Sequence, residues 1–285
     1  PDVQTSGEYR TMFIGDPRVL PGAPLNFGWG ISYSVVNGRE PSMEELWENP
    51  PTRARDNAVA ALYGIVRGQT ARAGRLLAPL SVRFIVVPII DGGQSTRSDP
   101  INAPRGLVDS LSRQLDLRRL YASPDLVIFE NASWVPVRSM LTTSGAASSQ
   151  LAGATSMIAT DISGATPLPT QTRPEGAIEA DVEPGTVHLA VPFSTHWKLT
   201  LDGKKIEARP AFGLTNAYDI ESAGRIRLGF ESSLFHSFAV LLQFAAWCVV
   251  AFFALVRPRR RSRRNSSTSS IADAPVMRFV NEDSL

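Results

Sequence analysis

Two aromatic rings are the side chains of this sequence best suited to contact a ligand: Trp29 and His196. Trp29 lies between Gly28 and Gly30, and because glycine has no side chain, another molecule can approach the indole closely. His196 directly precedes Trp197 at the start of a predicted strand. Flat aromatic rings offer a large rigid contact surface, which suits stacking on a sugar ring. The sequence therefore predicts glycan contact at Trp29 and His196, with packing of a turn as the alternative for His196.

Three further tryptophans, Trp47, Trp134 and Trp197, are predicted to pack inside the protein. Trp47 lies in a predicted capped helix, and Trp134 lies where two predicted domains meet. Trp197 opens a predicted hairpin. Core packing is the usual role of such rings, so none of the three is assigned to a ligand.

Residues that hold metals or attack substrates do not occur at the spacing their chemistry requires. The sequence has no Asp-x-Asp pair, no His-x-x-His pair and no Gly-x-Ser-x-Gly elbow. Glu179, Asp181 and Glu183 alternate, which indicates the solvated face of a strand, with a calcium or sugar-hydroxyl site as the alternative. His188, between Val187 and Leu189, is predicted to lie on an outer strand face. We therefore predict no catalytic residue, no metal site and no cofactor.

The stretch 234–256 carries no formal charge and predicts a membrane-spanning helix, since about 20 apolar residues cross the hydrocarbon core. Arginines follow at once, and arginines beside a span favour the cytoplasmic side. They are Arg257, Arg259, Arg260, Arg261, Arg263 and Arg264. The sequence thus predicts a cell-membrane protein with residues 1–233 extracytoplasmic and a disordered cytoplasmic tail at 257–285.

Composition limits the remaining partners. The 285 residues have a net charge of only +2, which gives no electrostatic footprint for nucleic acid. The single cysteine, Cys248, falls inside the predicted span, so the outer part must be stabilised by its cores. Because the sequence begins at Pro1 with no delivery signal, we expect it to be the C-terminal piece of a larger protein.

Residues 1–134 predict a mixed α/β domain. Helices are expected at 42–47, at 57–66 with Asp56 as N-cap, at 71–79 and at 107–115. Strands are expected at 11–15, 27–36, 118–122 and 126–130. The stretch 82–90 is the most apolar of them and predicts a central strand.

Residues 135–233 predict an antiparallel β-sandwich, jelly-roll-like, because short strands recur at roughly ten-residue spacing. Expected strands are 177–182, 187–191, 197–201, 205–209, 217–220 and 225–230. Asp202-Gly203 between two of them predicts a tight hairpin turn. The small, polar stretch 144–172 is expected to form a loop or an irregular crossover. The fold class is thus α+β, followed by one membrane helix.

Several stretches resemble known membrane proteins in a distinctive order. LSVRFIVVP, LVIFENASWVPVRSM, HWKLTLDGKKIEA and AGRIRLGFESSLFHSFAVLL resemble segments of YfhO-like outer domains. YRTMFIGDPRVLPG, FGWGISYSVVNG and GQTARAGRLLAPLSVRFIVVP are similar to the C-terminal region of large actinobacterial membrane proteins that carry an N-terminal family 2 glycosyltransferase domain. His196 departs from the pattern, which has glycine there, and Val137 separates a Pro-Arg pair.

The resemblance implies an accessory extracytoplasmic module of a multi-spanning membrane glycosyltransferase in cell-envelope glycan synthesis. Implied partners are membrane lipid, an envelope glycan or polyprenyl-linked sugar, and an upstream transmembrane bundle of the parent chain. The alternative is a non-catalytic structural or interaction module. A glycan-guiding surface should show a groove with exposed aromatics and convergent carboxylates or amides, whereas a packing module should show a large apolar patch.

Overall fold

The N-terminal part of the chain forms a six-stranded sheet in the order β2–β3–β1–β4–β6–β5. The structure is a computed structural model that describes residues 7–37, 52–89, 101–123, 125–169, 178–231 and 234–256. Within the sheet, β1 and β4 are parallel and the other neighbours are antiparallel. The strands are β1 Arg10–Gly15, β2 Leu25–Gly28, β3 Ile31–Asn37, β4 Val82–Pro88, β5 Leu117–Ser123 and β6 Leu126–Asn131.

The predicted central strand is confirmed. β4 lies in the interior of the sheet between β1 and β6, and five of its seven residues are apolar and buried. Val86 pairs with Phe13 on one side and with Ile128 on the other. A strand in the interior of a sheet that is covered on both faces needs apolar side chains on both faces. The β-branched residues of β4 supply them.

Short helices complete the first hydrophobic core. They are α1 Arg53–Val66, α2 Ala73–Leu77, α3 Leu107–Ser112, α4 Thr143–Ser149 and α5 Ala154–Ala159. Leu62 and Ile65 of α1 pack with Met12 and Ile14 of β1 in this core. α1 begins one turn earlier than predicted: Thr52, not Asp56, is its N-cap, and the Thr52 hydroxyl accepts a hydrogen bond from the backbone nitrogen of Arg55 at 3.2 Å.

Two antiparallel sheets follow, so the chain is α+β with several antiparallel sheets. Their orders are β13–β14–β10–β7–β8 and β12–β11–β15–β9. The strands are β7 Arg138–Met140, β8 Thr166–Pro167, β9 Ile178–Val182, β10 Gly185–Pro192, β11 Trp197–Leu201, β12 Lys204–Ile206, β13 Arg209–Ala211, β14 Thr215–Ile220 and β15 Gly224–Phe230. Side chains of both sheets, among them Leu189, Tyr218, Leu199 and Ile226, form a second hydrophobic core.

The predicted Asp202-Gly203 hairpin is confirmed. Leu201 pairs with Lys204, and both turn residues have positive φ, 48° at Asp202 and 82° at Gly203. These signs at both central positions are those of a type I′ turn, which suits the twist of the flanking strands. The Asp202 carboxylate also accepts a hydrogen bond from the backbone nitrogen of Arg225 at 3.0 Å, which ties the turn to β15.

Three further sequence expectations differ from the structure. The expected strand 205–209 is divided between β12 and β13, which belong to different sheets. The stretch 144–172 is not a plain loop, because α4, α5 and β8 lie in it. The β-prone stretch 27–36 is not one strand, because β2 and β3 meet there in a turn at Trp29 and Gly30. The predicted helix 42–47 with Trp47, and the tail 257–285, lie outside the described residues.

The chain divides into two compact units, residues 1–232 and 233–285. Within the first unit, the first core also takes in Val135, Leu141 and Phe212, which lie beyond the expected boundary at residue 134. The division of the first unit into two domains at that boundary stays a prediction.

The described part of the second unit is one helix, α6, Leu234–Val256. Side chains are described from Val240 to Phe253, and the large hydrophobic ones among them are exposed. Among the described residues, no helix has both the length and the apolar character of a membrane span.

Candidate functional site

Trp29 lies at the tip of the hairpin that joins β2 to β3. Gly28 pairs with Ile31, so Trp29 and Gly30 are the two turn residues. Their φ angles are 53° and 71°, both positive, as in a type I′ turn. The first turn position of this kind usually holds Asn, Asp or Gly, because a side chain with a bulky ring is strained at positive φ.

The strained backbone of Trp29 does not bring its side chain into the core. The side chain is 58% exposed, so the left-handed backbone is not balanced by the placing of a large ring in the core. A strained, non-glycine backbone costs on the order of 1–3 kcal/mol, and such positions concentrate at binding and catalytic sites. The geometry therefore marks Trp29 as the best candidate for ligand contact.

Helix α1 holds the exposed indole in place. Tyr63 meets Trp29 edge to face with ring centroids 5.2 Å apart, and Phe27 meets Tyr63 in the same manner at 5.6 Å. The Arg67 guanidinium lies 5.2 Å from the centroid of Trp29 and 5.3 Å from that of Tyr63. Edge-to-face and cation–π contacts of this kind fix the orientation of the ring while most of its surface stays exposed.

A shallow groove of about 680 Å³ has Tyr63 and Gly28, the chain neighbour of Trp29, in its wall. Its lining combines aromatic carbon with an amide, a carboxylate and a guanidinium, from Asn26, Phe27, Gly28, Arg55, Asp56, Val59 and Tyr63. Ligand sites typically pair an apolar wall with a few polar groups that fix orientation. The groove thus combines both kinds of group and is a candidate ligand site.

The polar groups of the groove are held by the ends of the hairpin and of α1. The Asn26 side-chain oxygen accepts a hydrogen bond from the backbone nitrogen of Gly28 at 2.8 Å, which leaves its amide nitrogen as a donor. Asp56 is exposed in the first turn of α1, where the helix dipole favours a negative charge. A sugar has many hydroxyl groups that both donate and accept, so this combination can bind it without any reaction.

His196, the second predicted contact, lies elsewhere in the fold. It precedes β11, and its ring stacks on Phe230 with centroids 5.8 Å apart and an angle of 29° between the planes. Its Nδ1 lies 3.2 Å from the Ser194 hydroxyl. No ring contact among the described residues joins it to Trp29, so the two predicted residues do not form one site.

His188 is a correction to the sequence analysis. It is not on an outer strand face but fully buried in β10, with its Nε2 2.9 Å from the Thr215 hydroxyl and its ring edge to face with Phe212. Burial, together with the positive charges of Arg10 and Arg209, lowers the pKa of His188 to about 3. The imidazole is therefore neutral at physiological pH and serves the core.

The alternating acidic residues carry no metal site in the described part of the chain, where no cluster of three His, Cys, Asp or Glu side chains could hold an ion. Glu179, Asp181 and Glu183 are exposed on or beside β9, as predicted. Glu179 pairs with Arg225 of β15 at 2.9 Å. The pattern is that of a solvated strand face.

A second cavity of about 460 Å³ lies between α1 and the strands β1 and β3, with Met12, Tyr33 and Ala58 in its walls. The guanidinium of Arg10, which also lines it, donates to the carbonyl oxygens of Leu80 and Ala190. The groove is the better candidate site, because Tyr63 in its wall contacts the exposed ring of Trp29.

Comparisons with protein-family models, with curated proteins and with solved structures give no match to this chain. The case for function therefore rests on the geometry of the groove.

Proposed function

We propose that the chain is an accessory extracytoplasmic module of a multi-spanning membrane glycosyltransferase of the cell envelope, which positions a glycan or a lipid-linked sugar. In this proposal a mixed α/β domain is followed by a jelly-roll-like β-sandwich, and both lie outside the cytoplasm. Leu234–Val256 crosses the membrane, and the arginine-rich tail lies in the cytoplasm. The module binds and does not catalyse.

One observation carries the binding proposal: the exposed, strained Trp29 beside a groove with an amide, a carboxylate and a guanidinium. A ring used only for packing would be buried, and a turn used only for folding would carry Asn or Gly at this position. Trp29 is neither buried nor a residue that is usual at this position of a turn. A stacking contact for a sugar explains both its exposure and its retained strain.

The membrane part of the proposal is supported by α6. Its described side chains from Val240 to Phe253 are apolar except that of Gln243, and they are exposed on all sides of the helix. A helix that is apolar all round belongs in a protein core or in lipid. The uncharged sequence followed by arginines favours lipid, with the tail inside.

The same helix favours a second candidate, a structural module that packs on the transmembrane bundle of a parent chain. Exposed apolar side chains need a partner, and a neighbouring helix serves as well as lipid. In that case Trp29 has no ligand and its strain serves the fold alone.

Binding separates the two candidates. We suggest titration of the purified full chain in detergent with oligosaccharides of envelope polysaccharide and with a polyprenyl-phosphate sugar, followed by calorimetry. The glycan proposal expects binding that Trp29→Ala weakens and that Tyr121→Ala, a 92% exposed aromatic on the edge strand β5, leaves unchanged. Absence of binding to every saccharide, or equal binding by Trp29→Ala, contradicts it.

A further inference from the structure

A second group of aromatic side chains lies at the end of the third sheet, well separated along the chain from Trp29. This aromatic rim consists of His196, Trp197 and Phe230 at the end of the sheet β12–β11–β15–β9, together with Phe193, which directly follows β10 and precedes His196 by three residues. Phe193 is 40% exposed and Phe230 is 53% exposed, while His196 is exposed and Trp197 is half-buried. Single exposed aromatics are ordinary, but Phe230 contacts the rings of both His196 and Trp197, and such a group needs an explanation.

The rim is held rigidly by the ends of two paired strands. Trp197 and Phe230 are partners at the end of the β11–β15 ladder, with ring centroids 5.3 Å apart. The backbone nitrogen of Glu231 donates to the carbonyl of His196 at 2.9 Å, and that of Phe193 donates to the carbonyl of Leu214 at 2.9 Å. The rings are therefore presented by ordered backbone on both sides.

The opposite end of the same two strands is charged. β11 runs from Trp197 into the Asp202-Gly203 turn, and β15 runs antiparallel to it, so Arg225 lies beside Asp202. Lys204 and Lys205 follow the turn and are exposed. The third sheet thus has the aromatic rings at one end, next to Glu231, and Asp202, Lys204, Lys205 and Arg225 at the other.

The chain leaves the first unit at the aromatic end. Phe230 is the last residue of β15, and residues 231–233 separate it from Leu234, the first residue of α6. Four residue steps span at most about 14 Å even when fully extended. Whatever environment surrounds the beginning of α6 is therefore within reach of the rim.

We propose that the aromatic rim is a docking surface for the headgroup layer of a phospholipid membrane. Tryptophan prefers this layer, because its ring contacts acyl chains while its N–H stays hydrated, and Trp197 supplies that ring here. Phe193 and Phe230 add exposed apolar surface of the kind that interfacial segments bury among the acyl chains. The inference rests on the proposed membrane location of α6, and it adds that the first unit lies against the lipid and not free above it. The charged end of the third sheet then points into water.

Spin labels test this in the full chain reconstituted into phosphatidylcholine–phosphatidylglycerol nanodiscs. Phe193→Cys and, separately, His196→Cys are made in a Cys248→Ser background, since Cys248 is the sole cysteine of the chain. The control is Tyr121→Cys in the same background. Collision with oxygen, which enters lipid, is compared with collision with a water-soluble nickel chelate. Far-UV circular dichroism and thermal melting confirm that each variant folds.

We expect the oxygen-to-chelate collision ratio at position 193 or 196 to rise well above that at position 121. Values at both rim positions equal to the control overturn the inference. The unmodified chain labelled at Cys248 reports separately on the span: a water-exposed label there contradicts the membrane location of α6, whatever the rim shows. A lipid-exposed Cys248 with a water-exposed rim sinks only the docking surface.

Discussion

The indole of Trp29 meets the ring of Tyr63 edge to face, with centroids 5.2 Å apart, while the backbone of Trp29 stays at φ 53°. The hairpin thus meets helix α1 through Phe27 and also through Trp29, a ring that neither a turn nor a core would select. Contacts with Tyr63 and Arg67 offset part of the backbone strain, since an aromatic pair contributes about 0.5–1.5 kcal/mol. The rest of the strain has no offset in the fold, and a ligand-binding role for Trp29 would explain why it is retained.

The Asp202-Gly203 turn should be sensitive at its second position. Gly203→Val is expected to lower the free energy of unfolding by about 1–3 kcal/mol, because φ is positive there and a β-branched side chain is strained. Open space surrounds the position, so no steric contact with another residue contributes. Urea unfolding measures the loss, and Gly203→Asn, which tolerates this backbone, is the control. Equal midpoints for all three proteins would contradict the turn.

The central strand should not tolerate a charge. Val86→Asp is expected to abolish cooperative folding of the first unit, because the buried carboxylate would lie between Phe13 and Ile128 with no partner. Tyr121→Asp, an exposed change on the edge strand of the same sheet, should fold normally. Thermal melting and gel filtration decide: a monomeric Val86→Asp protein with the wild-type melting temperature would refute this placement.

Buried His188 should make the protein acid-sensitive. Its pKa is about 3 in the folded protein against an ordinary value of 6.5, so the unfolded chain takes up the proton first as the pH falls. Stability is therefore complete above about pH 6.5 and declines by about 1.4 kcal/mol per pH unit from there toward pH 3. Urea unfolding at pH 7, 5.5 and 4.5 should show this slope, and His188→Gln should lack it. Parallel slopes for both proteins would contradict a neutral buried imidazole.

Membrane orientation can be tested in spheroplasts that carry the protein. We expect added protease to digest residues 1–232 and to spare the arginine-rich tail, because arginines beside a span remain on the cytoplasmic side. Lysed spheroplasts are the control, in which both parts are digested. Loss of the tail with a protected first unit would reverse the orientation.

The sequence predicted the strands better than the helices, for a physical reason. Alternating or continuous apolar residues around 82–90 and 197–201 have few other interpretations, so β4 and β11 were expected almost to the residue. α4 was missed because its residues, TSGAASS, are small and have no apolar stripe, and the Thr142 cap is its main signal. His188 was misplaced because β10 is buried on both faces, where alternation gives no information.

The candidate site was predicted in part. The glycines beside Trp29 indicated close approach, but the groove also needs Asp56 and Tyr63, about thirty residues further along the chain. Tyr63 belongs to the apolar stripe of α1 with Val59, Leu62 and Val66, a spacing typical of a helix face that packs in a core. Only the packing of α1 against the hairpin brings these residues together, and no local pattern encodes it.

The most direct test of the glycan-positioning account is Trp29→Asn, because asparagine accepts positive φ but cannot stack. We expect the free energy of unfolding to change by less than about 1 kcal/mol, since relief of strain offsets the lost contacts with Tyr63 and Arg67. Saccharide binding should be lost in the same variant. A fall in stability of more than about 2 kcal/mol with saccharide binding unchanged would mean that Trp29 serves the fold alone, and it would contradict the account.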